Sequence, residues 1–191
     1  MKLILASKSP RRKQLLGQIV DNFDVVVGNV DEQSFVGEPT QMVVSLALAK
    51  AQAVPRPADA IVIGCDTIVV KDGVVYGKPV DDADAICTLS SFSGRSHVVY
   101  TGVAIITPTA THTFYEATQV NFKQLSAQQI QAYVATGSPM DKAGSYGIQD
   151  CGFVHSIVGS YDNVVGFPTG AVKQVLSNYV KTKDYQEKNY G

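Results

Sequence analysis

One run constrains the fold more than any other part of this 191-residue chain: Ile61-Val62-Ile63-Gly64-Cys65-Asp66-Thr67-Ile68-Val69-Val70. A β-branched stretch this apolar predicts a central, buried strand. Asp72-Gly73 follows as a hairpin signal and returns the chain through Val74-Val75-Tyr76. If those two residues form the loop, Lys71 pairs with Val74, and Lys78 falls opposite Thr67. Strict alternation puts Lys78 on the face of Thr67 and Asp66 on the other, unless a bulge near Gly77 brings them together.

Around that strand the pattern alternates. Residues 3–6, 23–27, 97–106, 113–122 and 153–158 read as further strands. Ser9-Pro10 starts a helix, with Ser9 as N-cap and Pro10 at the first helical position; Leu15, Leu16 and Ile19 give it an apolar side. A second helix spans 40–54 and is ended by Pro55 and Pro57. A third runs from Asp81 towards Gly94. Ser126 and Gln129 form a capping box for a fourth that ends at Gly137, and a fifth spans 168–179. Residues 29–39 and 138–150 read as polar loops, and the charged tail from Lys181 as loose. Two hairpin-like stretches rule out a purely parallel sheet, so the class is mixed α/β. Without repeats or a linker, residues 1–191 form a single domain.

Composition excludes several functions. Sixteen Lys and Arg against 17 Asp and Glu leave a net charge of −1. That balance argues against a broad grip on nucleic acid or an anionic membrane, while leaving room for a small basic pocket. Cys65, Cys87 and Cys151 form no C-x-x-C pair, which supports neither a disulfide framework nor a zinc knuckle, and free thiols suit a reducing cytosol. No stretch approaches the ~20 apolar residues of a membrane span. The apolar run after Lys2 is too short for a signal peptide, and Lys8, Arg11, Arg12 and Lys13 follow at once. The expectation is a cytoplasmic protein.

Several segments could carry chemistry. In Ser7-Lys8-Ser9-Pro10-Arg11-Arg12, helix-start amides, hydroxyls and guanidinium groups suit an oxyanion-rich ligand, provided other cations converge there. The alternative is a capped helix with solvated charges. Lys50 interrupts the stripe Val43, Leu46, Ala47, Val54, so it must snorkel out or meet an anion. Asp66 amid apolar sequence must be paired, protonated or on a metal, and Gly64 beside it lets another backbone or a ligand come close. A functional Asp66 outweighs a structural one. Asp31-Glu32 in a loop is more often solvated than metal-bound. The Gly-rich segment 141–149 has the character of a functional loop. His97, His112 and His155 lack metal-ligand spacing and read as structural.

Taken in order, these segments resemble the Maf family of nucleotide pyrophosphatases. The matching pieces are Ser7-Lys8-Ser9-Pro10-Arg11-Arg12, Asp31-Glu32, Lys50-Ala51, Gly64-Cys65-Asp66-Thr67, Gly77-Lys78-Pro79 and Ser93-Gly94 with His97. Thr101-Gly102-Val103, Asp141-Lys142-Ala143-Gly144 with Tyr146-Gly147-Ile148-Gln149, and Gly159-Ser160-Tyr161 with Val165-Gly166-Phe167-Pro168 complete the set. Phe167 stands where leucine is usual, and Cys65 where alanine is common.

The resemblance implies a twisted mixed β-sheet flanked by helices, with two lobes around a deep cleft. It implies cleavage of a nucleoside triphosphate between the α- and β-phosphates, with a divalent cation (Mg²⁺ or Mn²⁺). By that resemblance Asp66 activates water, and Arg11, Thr67 and Gln149 set base preference. Ser7, Arg12, Lys50 and Lys78 hold the phosphates, and Glu32 with Asp66 serves the metal. The tyrosine and glutamine of Tyr146-Gly147-Ile148-Gln149 look like the dTTP/UTP branch. Gln149 offers one acceptor and two donors, which can meet the N3–H and a carbonyl of uracil or thymine. The alternatives are a pyrophosphatase for 7-methyl-GTP or another noncanonical nucleotide, and, in a different class, a non-catalytic regulator of septum formation. No nucleic acid or membrane partner is expected, and a homodimer is left open.

Overall fold

A computed structural model describes residues 1–32 and 37–190; part of the 29–39 loop and the last residue of the tail lie outside the described residues. The central element is β3 (Ile61–Lys71), buried along almost its whole length. Its first residues pair in parallel with β1 (Leu3–Ala6), which pairs in parallel with β2 (Asp24–Val25). Its last three pair with β4 (Val74–Tyr76) in the register Lys71↔Val74, as the hairpin signal requires. Along its other edge β3 pairs antiparallel with β5 (Ser96–Ile106), then β6 (Thr111–Phe122) and β7 (Val154–Val158) follow. The described residues thus form one mixed seven-stranded sheet of order β2-β1-β3-β5-β6-β7, with β4 beside β3.

One detail of this topology makes the site. On the edge that β1 and β4 share, the β1 ladder ends at Ala6↔Gly64 and the β4 ladder starts at Tyr76↔Val69. Cys65, Asp66, Thr67 and Ile68 lie between the two. The chain leaves β1 through Ser7 and leaves β4 through Gly77, so both exits flank this gap.

Helices cover both faces. α1 (Pro10–Ile19) is capped by the Ser9 side chain as expected, and it packs with α6 (Thr169–Leu176) over Leu3, Leu5, Ile61, Ile63 and Cys65. The opposite face carries α2 (Pro39–Gln52), whose Ala47 and Ala51 rest on Ile4, Val62 and Ala104. α2 lies close enough that a Cβ at Gly64 would stand 2.1 Å from the Ala47 carbonyl oxygen, and one at Gly102 would stand 2.3 Å from that of Val43. Two small residues on neighbouring strands therefore form the track in which α2 sits. A third core joins α3 (Asp82–Phe92) and α4 (Ala127–Val134) to the far half of the sheet through Phe92, Phe122, Tyr133 and Phe153. Asp81 caps α3, and Ser126 and Gln129 make the expected capping box on α4.

Several expectations are corrected. The strand at 23–27 contracts to Asp24–Val25, because only Ile4 and Leu5 of β1 offer it a ladder. α2 starts one residue early at Pro39 and ends before Pro55, at Gln52. α4 ends at Val134, with Gly137 in the left-handed conformation beyond it. The last helix contracts to Thr169–Leu176. The loop at 138–150 contains two short 3-10 turns. A short helix, α5 (Tyr161–Val165), is capped by Ser160 where none was expected. The charged tail is docked. Lys183 bonds the Gly17 carbonyl and pairs with Asp21, Tyr185 bonds Asp162, and the Glu187 carboxylate accepts from the Asp162 N–H at 2.9 Å. Its tyrosines supply apolar area that a count of charges overlooks.

His97 is structural, as expected. Its ring stacks on Phe92 at 4.3 Å, and Nε2 lies 2.7 Å from the Tyr146 hydroxyl. Burial, and secondarily the charge of Lys71, pushes its pKa down to about 3. The unfolded chain therefore binds a proton at this position that the folded chain refuses between about pH 6.5 and 3. Stability is expected to fall as pH drops through that window. Urea denaturation at pH 7 and pH 4.5 checks this: His97→Phe should shrink the difference between the two pH values, whatever it does to stability at pH 7.

Candidate active site

The gap in the sheet opens into a cleft of about 800 Å³, and every residue proposed for function lines it: Ser7, Arg11, Arg12, Glu32, Lys50, Asp66, Thr67, Lys78 and Gln149. A volume of this size accommodates a small-molecule ligand.

Asp66 and Thr67 are neighbours in β3 and so project to opposite faces. Asp66 is on the α2 side, where Lys50 comes down from the last turns of that helix. Lys50 Nζ donates to Asp66 Oδ1 at 2.6 Å and pairs with Glu32 Oε1 at 2.8 Å. The cation in the apolar stripe of α2 therefore meets anions; it does not snorkel to open solvent. Side-chain exposures of 17% for Lys50 and 10% for Asp66 make this a largely desolvated pair, in which removing Lys50 strands the charge of Asp66. Burial raises the Glu32 pKa, but the hydrogen bond and charge of Lys50, aided by Lys78 and Arg12, outweigh it and hold Glu32 below its ordinary value. Cys65 is inert beside them, since burial pushes its thiol up to about 11.

Thr67 is on the α1 side, and Arg12 is the strut there. Its Nη1 donates to the Cys65 carbonyl at 2.8 Å and to Ser7 Oγ at 3.3 Å, Nη2 to Thr67 Oγ1 at 2.9 Å, and Nε to the Gly166 carbonyl at 2.8 Å. One guanidinium thus ties α1, the exposed backbone of β3 and the end of α5. Thr67 is further held by Thr101 Oγ1 at 3.0 Å, and that hydroxyl donates in turn to the Asn163 carbonyl at 3.0 Å. Sequence reasoning did not single out Gly166, Thr101 or Asn163 as supports of this side; the only signal was their place in the motif set or next to it.

Lys78 reaches the cleft by a route other than the expected one. The β3–β4 ladder stops at Tyr76, and Gly77 turns away, its carbonyl accepting from the Gly144 N–H at 3.0 Å. Lys78 therefore has no cross-strand partner at Thr67. Its charge bears on Glu32 instead. Arg11 pairs with Asp141 across the cleft at 2.8 Å, a partner the sequence offered no means to select. Gln149 is exposed at the rim.

The carboxylates suit a hard divalent cation. Glu32 and Asp66 converge on one Lys50 nitrogen, so both present oxygens to the same region. Among the described residues no group of three or more His, Cys, Asp or Glu side chains could hold a metal by itself. Mg²⁺ is commonly held by one or two carboxylates plus substrate phosphates and water, which this pair satisfies. No helix among the described residues is long and apolar enough to cross a membrane.

The chain superposes on the Ham1 proteins of Staphylococcus aureus (TM-score 0.55, 13% identity, 93% of this chain and 99% of that one) and Coxiella burnetii (TM-score 0.50, 15% identity, the same coverage), a likeness of fold alone. It is 50% identical over 181 residues to a dTTP/UTP pyrophosphatase of Symbiobacterium thermophilum, covering 93% of each chain. It is 47% identical over 182 residues to one of Bacillus cereus, covering 93% of this chain and 95% of that. The family described as Maf-like protein matches residues 2–179, and with that span and those identities the chain belongs to the Maf family.

Proposed function

We propose that this protein hydrolyses dTTP and UTP to the monophosphate and pyrophosphate, with Asp66 as the general base. The observation that carries the reading is the convergence of one buried carboxylate, Asp66, with Lys50, Lys78, Arg11 and Arg12 around a single cleft, in a chain half-identical to enzymes of that name.

The triphosphate tail lies along the Ser7–Lys50–Lys78 side, where the cationic side chains screen its charge. Arg12 adds its positive charge from behind, four of its five N–H donors being committed to the protein. Asp66 Oδ1 is taken by Lys50, and among the described residues Oδ2 has no hydrogen bond, so Oδ2 is the oxygen that accepts the proton from water. Water oxygen bonds to the α-phosphorus, its proton passes to Asp66, and the bridging oxygen leaves with pyrophosphate. Glu32 and Asp66 would hold a divalent cation, which when bound would supply charge stabilisation to the phosphate oxygens. General-base help of this kind is worth ~10²–10⁴-fold. At the rim, Gln149 and Arg11 face the base, and Thr67 completes the set.

A substrate panel tests the reading. Pyrophosphate release is measured with dTTP, UTP, dCTP, GTP and 7-methyl-GTP in the presence of Mg²⁺ or Mn²⁺, and again with chelator. Fastest turnover of dTTP and UTP, lost with chelator, is expected. Preference for 7-methyl-GTP would replace the substrate assignment, and nucleotide binding without turnover would favour a regulatory protein.

A further inference from the structure

The rim of the cleft holds a charged frame of which the proposed chemistry uses only Arg11. Arg11, on α1, donates from Nη1 to Asp141 Oδ2 at 2.8 Å and from Nη2 to the Asp141 carbonyl at 3.4 Å. The other carboxylate oxygen, Oδ1, accepts from Lys142 Nζ at 2.8 Å. That ammonium is nine-tenths buried and also donates to the Ser138 carbonyl at 2.6 Å and to Ser138 Oγ at 3.0 Å. Ser138 Oγ donates to Asp150 at 2.7 Å, and Tyr133 donates to the other Asp150 oxygen at 2.8 Å while accepting the Gly147 N–H at 3.0 Å. Gln149 lies between Gly147 and Asp150. Arg11 therefore belongs to a hydrogen-bonded frame that also holds the chain on either side of Gln149, and Asp141 is its only link to Arg11 among the described residues.

The energetics separate position from stability. The Arg11–Asp141 pair has side-chain exposures of 22% and 58%, and ion pairs so open to water contribute little to folding. Its effect on a ligand is larger. An unpaired guanidinium in the cleft would be drawn to the triphosphate of any nucleotide, which adds affinity without selectivity. Paired, its charge is cancelled and its direction set. Uracil and thymine present two carbonyl acceptors flanking N3–H, whereas cytosine has an amino group in place of one. Donors held towards that edge accept the first and oppose the second.

We propose that Asp141, itself anchored by Lys142, is a specificity-determining positioning residue that holds Arg11 for the carbonyl edge of an uncharged pyrimidine and keeps it off the phosphates. The inference rests on the reading of the protein as a pyrimidine nucleoside triphosphate pyrophosphatase.

The test is steady-state pyrophosphate release from dTTP and dCTP by the wild-type protein, Asp141→Asn, Arg11→Ala and the double variant. Asp141→Asn should lower the dTTP-to-dCTP ratio of kcat/KM by about tenfold, mainly through a lower KM for dCTP, with kcat little changed. The double variant should be no less selective than Arg11→Ala alone, because Asp141 acts through Arg11. Asp141→Glu should recover part of the ratio, which a purely structural role would not require. A ratio within twofold of wild type in Asp141→Asn overturns the inference and leaves the activity standing. Should Asp141→Asn fold poorly, an unchanged ratio in Arg11→Ala overturns it equally. A wild-type protein that turns over neither dTTP nor UTP removes the functional reading, and this inference with it.

Discussion

Asp66→Asn is expected to lower kcat for dTTP by ~10²–10⁴-fold while leaving nucleotide affinity within a fewfold of wild type. Asparagine matches the carboxylate in size and can still accept a hydrogen bond from Lys50, and Lys50 keeps its second partner in Glu32. The substitution therefore removes a proton acceptor without leaving a buried charge alone, and the fold should survive. Single-turnover release of pyrophosphate measures the chemical step, and titration with a fluorescent nucleotide analogue measures binding. Full turnover in Asp66→Asn would place the base elsewhere. Loss of binding in parallel with turnover would instead make Asp66 chiefly a ligand for the metal–triphosphate complex.

The second large effect is expected at a residue that itself touches no reacting atom. Gly64→Ala puts a methyl group about where the Ala47 carbonyl oxygen of α2 already lies, 2.1 Å away, with the Ala51 nitrogen at 2.8 Å. Backbone cannot yield as a flexible side chain does, so α2 must move off the sheet. Overpacking of this kind costs ~1–3 kcal/mol and occasionally more. For a chain of this size each kcal/mol corresponds to roughly 2–4 °C in Tm, so a fall of about 2–12 °C is expected in a thermal melt. Activity at 25 °C, well below the melt, should fall further than that stability loss explains. Lys50 is on the displaced helix, and its 2.6 Å contact with Asp66 depends on the close approach at Gly64. A Gly64→Ala protein with wild-type Tm and turnover would show that α2 does not need the track.

Most of what could be read before the structure came from local rules. The Ile61–Val70 run had no polar face to offer and so had to be central. Asp72-Gly73 could make only a tight hairpin, and the pairing Lys71↔Val74 followed. Ser9 and Ser126 capped the helices that they precede, because a side-chain oxygen one position before a helix satisfies its free N–H groups wherever the helix sits. Local rules failed where a distant partner decides. The ladder from Val74 was expected to continue to Lys78, but Gly77 is claimed by Gly144. The charged tail was expected to be loose, but Asp162 and Ser160 give its tyrosine and glutamate partners.

The cleft divides in the same way. Lys50 in an apolar stripe and Asp66 in an apolar strand each announced a charge that could not be buried alone: Lys50 had to snorkel out or meet an anion, and Asp66 had to be paired, protonated or on a metal, and that much was written in the sequence. Which partner was not. Strands β1 and β4 stop short of one another on the same edge of β3, and that gap alone lets Lys50, Glu32, Arg12 and Lys78 meet around Asp66, while the turn at Asp141 comes across to Arg11. Periodicity and capping act within a few residues and survive in any context, whereas the gap exists only because two short strands share one edge of a longer third, and that is a property of the assembled sheet.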